Sequence, residues 1–182
     1  MQLLHIGTYF TSGQTTESAP AVGSTLDDDA VRALHAYPTD LDRPWIRTNF
    51  VASIDGSVTA NGKSAGLGTP ADARLFGILR ELCDAVLVGA GTARAENADS
   101  RLITETEVQP VVLTSAAADG SKVAALRSAG ATVIEVSGES VSTVDIVATL
   151  TDLGFRRILC EGGPGLFGQL VSDGAADDLC LT

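Results

Sequence analysis

Short apolar runs alternate with amphipathic stretches over most of this chain. That alternation predicts an α/β fold with three layers, α/β/α, around a mainly parallel sheet covered on both faces. Residues 155–171 give the clearest single instance. Ile158-Leu159-Cys160 is an apolar run suited to the end of a buried strand, and Glu161-Gly162-Gly163-Pro164-Gly165 is a turn with almost no side chain in the way. Leu166, Phe167, Leu170 and Val171 then recur at helical spacing, with Pro164 where a helix begins. Composition agrees: 45% of the 182 residues are hydrophobic but only 4% are aromatic, so the core is built from Val, Leu, Ile and Ala.

In chain order, residues 1–10 are able to pair as an edge strand, and residues 11–24, rich in Ser, Thr and Gly, read as loop. Thr25-Leu26-Asp27-Asp28-Asp29 opens a short helix with a capping hydroxyl and acids in the first turn. Val31, Leu34 and His35 share its face, and Tyr37-Pro38 ends it. Residues 45–51 are the first strong strand, with polar Arg47 and Asn49 alternating with apolar neighbours. Asp55-Gly56 reads either as a turn or as a strand end that holds Ser53 and Asp55 at a ligand. A glycine-rich loop spans 61–68. Thr69-Pro70 caps a helix whose inward face is Leu75, Phe76, Leu79 and Leu82, with Arg80 off that stripe as a solvated charge.

Residues 84–89 make a second buried strand. Gly89-Ala90-Gly91 imitates a dinucleotide turn, but Arg94 occupies the third glycine position, which a Rossmann turn needs for close helix packing. Thr92 and Glu96 sit beside a ligand if this strand is central. Residues 111–114 form a third strand, ending in Thr114-Ser115. A helix over 121–129, a strand over 131–136 and a helix over 143–153 follow, the last stopped by Gly154. Residues 177–182 begin another strand. Right-handed crossovers gather the loops after parallel strands at one sheet edge, so Asp55, Gly91-Thr92, Thr114-Ser115 and Glu161-Gly162-Gly163 converge on one cleft.

The turn at 161–168 is an anion site in outline, because first-turn helix N–H groups lack intrahelical partners. Gly163-Pro164-Gly165-Leu166-Phe167-Gly168 matches G-x-G-x-x-G, yet a full dinucleotide fingerprint needs a further strand and an acid about 20 residues on. A net charge of −11 argues against nucleic acid as a partner. Cys83, Cys160 and Cys180 form no C-x-x-C pair and lie in apolar runs, which suits buried thiols in a reducing compartment. His5 and His35 fit no metal spacing, and no apolar run is long enough to span a membrane. A cytoplasmic protein without a metal is expected.

Ala52-Ser53-Ile54-Asp55-Gly56, Leu79-Arg80, Asp84-Ala85-Val86-Leu87-Val88-Gly89-Ala90-Gly91-Thr92 and Ile158-Leu159-Cys160-Glu161-Gly162-Gly163 occur in an order and spacing that resemble the reductase domain of riboflavin biosynthesis (the RibD C-terminal type). That family shares the dihydrofolate reductase fold. The resemblance covers roughly residue 44 to the end. It implies an N-terminal extension over 1–43 and a reductase domain over 44–182 that stops short of the family's closing β-hairpin. It further implies NADPH-dependent reduction of a ribosylamino pyrimidine 5′-phosphate to its ribitylamino form, and a homodimer.

By position, the resemblance puts Gly163, Pro164, Gly165, Leu166, Phe167, Gly168 and Gln169 on the cofactor pyrophosphate, Thr92 and Glu96 on the nicotinamide side, and Val51 and Ala52 against the cofactor. It assigns Ser64 and Arg80 to the ribose phosphate and Glu161 to the substrate. Asp55 is grouped with the substrate residues as a polar strand-end side chain, and Thr114 and Ser115 stand ready for a cofactor 2′-phosphate. No residue is assigned as a nucleophile, since the cofactor delivers the hydride.

The sequence departs from the family where Glu96 replaces the usual Asp and where the arginine-bearing loop after Asn97 is short. It also lacks the H-x-E…P-C-x-x-C zinc signature of a deaminase partner domain. A pterin reductase on the same fold, or a nucleotide-binding paralogue without turnover, are the competing readings.

Overall fold

The computed structural model describes residues 21, 23–58, 67–89, 108 and 110–182. Six strands form one sheet: β1 (Trp45–Phe50), β2 (Ala85–Gly89), β3 (Pro110–Ser115), β4 (Thr132–Val136), β5 (Arg157–Cys160) and β6 (Asp178–Leu181). Their spatial order is β4-β3-β2-β5-β1-β6, and every neighbouring pair is parallel. Helices α1 (Asp28–Leu34), α2 (Pro70–Leu82), α3 (Gly120–Ser128), α4 (Thr143–Asp152) and α5 (Pro164–Ser172) accompany it.

Handedness explains the layers. From β1 to β2 and from β3 to β4 the chain steps toward the β4 edge; from β4 to β5 and from β5 to β6 it steps back. Right-handed crossovers place helices on one face for steps in one direction and on the opposite face for the return. Accordingly Leu79 and Cys83 at α2, and Val123 and Leu126 of α3, pack with Val86, Val88, Val112 and Leu159. Ile146 and Leu150 of α4 and Leu170 of α5 pack with Ile46, Leu87, Val111, Leu113 and Ile158 on the other side. The predicted three-layer α/β/α fold is therefore present.

Several local expectations shift by a residue or a face. Asp27, not Thr25, caps α1: its Oδ1 accepts from the Ala30 N–H at 2.8 Å. Thr69 and Pro70 start α2 as expected. Its most buried residues, however, are Ile78 and Leu79. Ile78 faces Leu26 and Val31 because α1 lies across α2, so α2 needs two apolar sides. Arg47 and Asn49 are buried, because β1 lies between β5 and β6 with side chains covered on both faces. The Arg47 guanidinium donates to Asp178 Oδ2 at 2.6 Å and to the His35 carbonyl at 2.6 Å, and stacks on Tyr37 at 4.4 Å. The expected strand over 1–10 lies outside the described residues. Among the described residues no helix is long and apolar enough to cross a membrane.

Candidate functional site

The strand order creates a switch point between β2 and β5. The chain leaves β2 toward β3 on one side and leaves β5 toward β6 on the other. Open α/β sheets bind ligands in the crevice beyond the carboxyl ends of such strands. Here those ends are in direct contact. Glu161 N–H donates to the Leu87 carbonyl at 3.0 Å. A Cβ added at Gly162 would sit 2.2 Å from the Gly89 nitrogen and 2.9 Å from Leu166 Cδ2. Glycine at 162 is thus a packing requirement, and it keeps the crevice floor free of side chains.

From that floor the chain enters α5 at once. Gly163 is the N-cap and Pro164 occupies the first turn, as the sequence predicts. The other four described helices are capped by side chains: Asp27, Thr69, Asp119 and Ser142. No side chain caps α5, and its first turn holds no acid. Without such a cap, the helix dipole favours an anion at this end. Among the described residues, a Cβ on Gly165 would meet nothing within 4 Å. Farther along α5 the side chains are anchored. Phe167 lies against Phe50 at the end of β1, with centroids 4.7 Å apart. Gln169 donates its amide to the Val141 carbonyl at 3.0 Å, tying α5 to the segment before α4.

Just before this turn, Glu161 forms a two-pronged ion pair with Arg80 of α2, with Nε to Oε1 at 2.7 Å and Nη2 to Oε2 at 2.8 Å. The Glu161 side chain is 1% exposed and that of Arg80 15%. Arg80 is therefore not the solvated charge that its place on the helix suggested. Phe76, one turn earlier, lies under the guanidinium at 4.5 Å from its centroid. Burial works against the charged guanidinium, but the Glu161 hydrogen bonds and charge outweigh it and hold its pKa above the ordinary value. The pair neutralises a carboxylate that would otherwise repel an anion at α5, and it leaves Nη1 of Arg80 outside the pair.

The remaining predicted residues fall around this centre. Val51 and Ala52 follow β1 half-buried, with the Ala52 N–H donating to the Thr182 carbonyl at 2.9 Å. Asp55 is exposed and organises a turn: its Oδ1 accepts from the Ser53 hydroxyl and from the Ser57 N–H, around Gly56 at φ +82°. Those hydrogen bonds, the one from Ser53 first, hold its pKa below the usual carboxylate value. Thr114 is buried at the end of β3 and Ser115 half-buried beside it. Thr114 lines a pocket of about 200 Å³ with Asp119, Lys122 and Val123. Ser64, Thr92 and Glu96 lie outside the described residues. The three thiols are buried or half-buried; burial pushes each up to about 12, so they are inert at neutral pH. Among the described residues no group of three or more His, Cys, Asp or Glu could hold a metal ion.

Sequence reasoning missed three features: the Gly89–Gly162 contact, Phe76 beneath Arg80, and the burial of Asn49, which is 6% exposed between β5 and β6.

Comparison with known proteins gives a consistent answer. Residues 44–182 match the model of the RibD C-terminal domain. A 2,5-diamino-6-ribosylamino-4(3H)-pyrimidinone 5′-phosphate reductase from Archaeoglobus fulgidus is 26% identical over 175 residues, covering 75% of this chain and 78% of that protein. A pyrimidine reductase-like protein from Corynebacterium diphtheriae superposes with a TM-score of 0.59 at 24% identity, over 76% of this chain and 73% of its own. A bifunctional deaminase and 5-amino-6-(5-phosphoribosylamino)uracil reductase from Thermotoga maritima gives 0.56 at 22% identity; the match covers 75% of this chain but only 43% of that larger one. The two solved structures show the shared fold, and the match over residues 44–182 shows the family: the chain belongs to the RibD C-terminal domain reductases.

Proposed function

We propose that this chain reduces 5-amino-6-ribosylamino-pyrimidinedione 5′-phosphate to its ribitylamino form, a step of riboflavin biosynthesis, with NADPH as reductant. The observation that carries the reading is the α5 N-terminus at the β2–β5 switch point, without a side-chain cap and two residues beyond the Glu161 of a buried arginine–glutamate pair. An anion fits the first feature, and a phosphate-bearing substrate fits the arginine of the second.

The turn from Gly163 to Gly168 would hold the cofactor pyrophosphate through backbone N–H groups. Val51 and Ala52 would border the cofactor where β1 ends. Thr92 and Glu96 would line its nicotinamide side by family position. Thr114, Ser115 and the Lys122 ammonium, near the pocket after β3, would meet a 2′-phosphate, which favours NADPH over NADH. Ser64 and Arg80 would take the substrate phosphate, with Glu161 and Asp55 on the sugar and ring side. The bound nicotinamide supplies the hydride; the chain's residues align donor and acceptor and exclude water, without a nucleophile. A cytoplasmic homodimer completes the reading.

The test is oxidation of NADPH, with NADH in parallel, by the purified protein given the ribosylamino pyrimidine phosphate or dihydrofolate. Turnover of the phosphate compound with preference for NADPH is expected. Turnover of dihydrofolate instead would make it a pterin reductase, and NADPH binding without oxidation of either would make it a non-catalytic paralogue. Light scattering of the same sample checks the dimer.

A further inference from the structure

Helix α2 meets different partners on its two flanks. Successive residues of an α-helix are turned by about 100°. Leu79, buried against the sheet with Val86 and Leu159, marks the middle of the inner side of α2. Ile78 is therefore turned to one flank and Arg80 to the other. On the first flank Leu75, Ile78 and Leu82 pack with Val31 of α1 and with Leu26 just before it. Beyond them Arg74 reaches Asp28 at 2.6 Å, and Glu81 takes Arg32 at 2.8 Å. On the second flank Phe76 lies against the Arg80 guanidinium, which reaches Glu161.

The segment that holds the first flank is itself fastened to the strands. After α1, the His35 carbonyl accepts from Arg47 of β1 at 2.6 Å. The Tyr37 hydroxyl donates to the Ile158 carbonyl of β5 at 3.0 Å. Arg43 pairs with Asp177, just before β6, at 2.5 Å. Residues 26–43 thus run from the flank of α2 to β5, whose next residue is Glu161. All of them precede residue 44, where the match to the family begins.

We propose that residues 26–43 brace the substrate side of the crevice. Within them Val31 is a positioning residue: through Ile78 it fixes the roll of α2, and with it the place of the Arg80 guanidinium. A helix held along one inner stripe alone can roll about that stripe, because apolar contact has no preferred direction. A roll that lifts Ile78 from Val31 swings Arg80 about the same axis. A buried contact blocks that motion, since Val31 is 1% exposed and Ile78 3%. The two ion pairs beside it are exposed and add little. Helix α5 packs on the opposite face of the sheet, so its turn lies outside the reach of this roll. The inference rests on the substrate proposed above, whose phosphate Arg80 takes.

The experiment compares the full-length protein with Val31→Ala, and with Leu34→Ala in case the first does not fold. Leu34 belongs to the same apolar cluster, and Leu34→Met, a swap of similar volume, is the conservative partner. Melting curves fix a temperature at which every variant is folded. There KM is measured separately for the ribosylamino pyrimidine phosphate and for NADPH, together with kcat. In the alanine variants the substrate KM should rise about fivefold, the size of coupling that contacts remote from a ligand carry. The KM for NADPH should stay at the wild-type value, and Leu34→Met should behave as wild type. Placed in a protein that already carries Arg80→Ala and Glu161→Gln, Val31→Ala should raise the substrate KM no further, because its effect passes through Arg80.

An unchanged substrate KM in folded alanine variants overturns the proposal. So does an equal rise of both KM values, which would mark a general loosening of the fold. A rise that persists in the Arg80→Ala, Glu161→Gln protein overturns it too, because the route would then bypass Arg80. A wild-type protein that neither binds nor reduces the ribosylamino compound defeats the functional reading itself, and this inference with it, before any variant is needed.

Discussion

A single methyl group decides whether β2 and β5 can meet. At Gly162 the added carbon would overlap backbone of Gly89 rather than a side chain able to move aside. Gly162→Ala should therefore lower stability by about 2 kcal/mol or more, seen as a lower urea midpoint. Gly165→Ala, whose added carbon meets no described atom within 4 Å, should leave the midpoint nearly unchanged and so serves as the control. Arg80 calls for a two-step test. Arg80→Ala removes the two-pronged partner of a buried carboxylate, so a loss of about 3 kcal/mol is expected along with lost affinity for phosphorylated substrate. Adding Glu161→Gln should restore most of the stability but not the affinity. Recovery of both, or of neither, would contradict the assigned roles. At this scale the sequence is legible where chemistry is local: Gly163, Pro164 and the turn they make follow from backbone preferences of adjacent residues. Arg80 and Glu161 are 81 positions apart, and nothing in either one's neighbourhood announces the other. The same holds for Asn49, whose burial depends on β6 as well as β5.

Among elements, the junction that leads into β2 and β5 is the most heavily pinned. The Asp84 carboxylate accepts from the N–H groups of Arg156 at 2.9 Å and Arg157 at 2.8 Å, and from Arg157 Nε at 2.8 Å. Burial alone would raise its pKa, but the Arg157 side chain and the two backbone donors outweigh this and hold it below the ordinary carboxylate value. A depressed carboxylate pKa stabilises the fold above the unfolded-state value near 3.8 and ceases to do so as pH falls through the lower folded value. Wild-type stability should accordingly drop below about pH 4. Asp84→Asn should be less stable at pH 7, by about 1–3 kcal/mol, and flatter with pH in that acid range. Urea midpoints at pH 7 and pH 3 check both. Periodicity located the described strands and helices to within one or two residues, because caps and breakers such as Thr69-Pro70 and Gly154 are written locally. It gave α2 a single apolar side and left out Ile78. A helix pressed between a sheet and α1 needs two apolar sides, and only the fold reveals that Ile78 has a partner in Val31.

For the molecule as a whole, the class of fold was readable from alternation, but the strand order was not. Nothing in residues 157–160 says that they enter between β2 and β1 rather than extending an edge. That insertion is what brings Glu161 beside Asn49 and lays Gly162 on Gly89, so the crevice belongs to the topology more than to any motif. It also dictates the order of assembly. β1 and β2 are not neighbours, and the strand that joins them is made more than sixty residues after β2 ends. Until it arrives, the middle of the sheet is an open slot flanked by two apolar ribbons with unsatisfied backbone edges, exposed to other chains during synthesis. Pairings this distant in sequence form slowly, because a long loop must close before any contact rewards it. Closure of that slot should therefore be the late, slow event of folding, and it builds the binding crevice in the same stroke: a nascent chain without β5 lacks both a continuous sheet and the β2–β5 crevice.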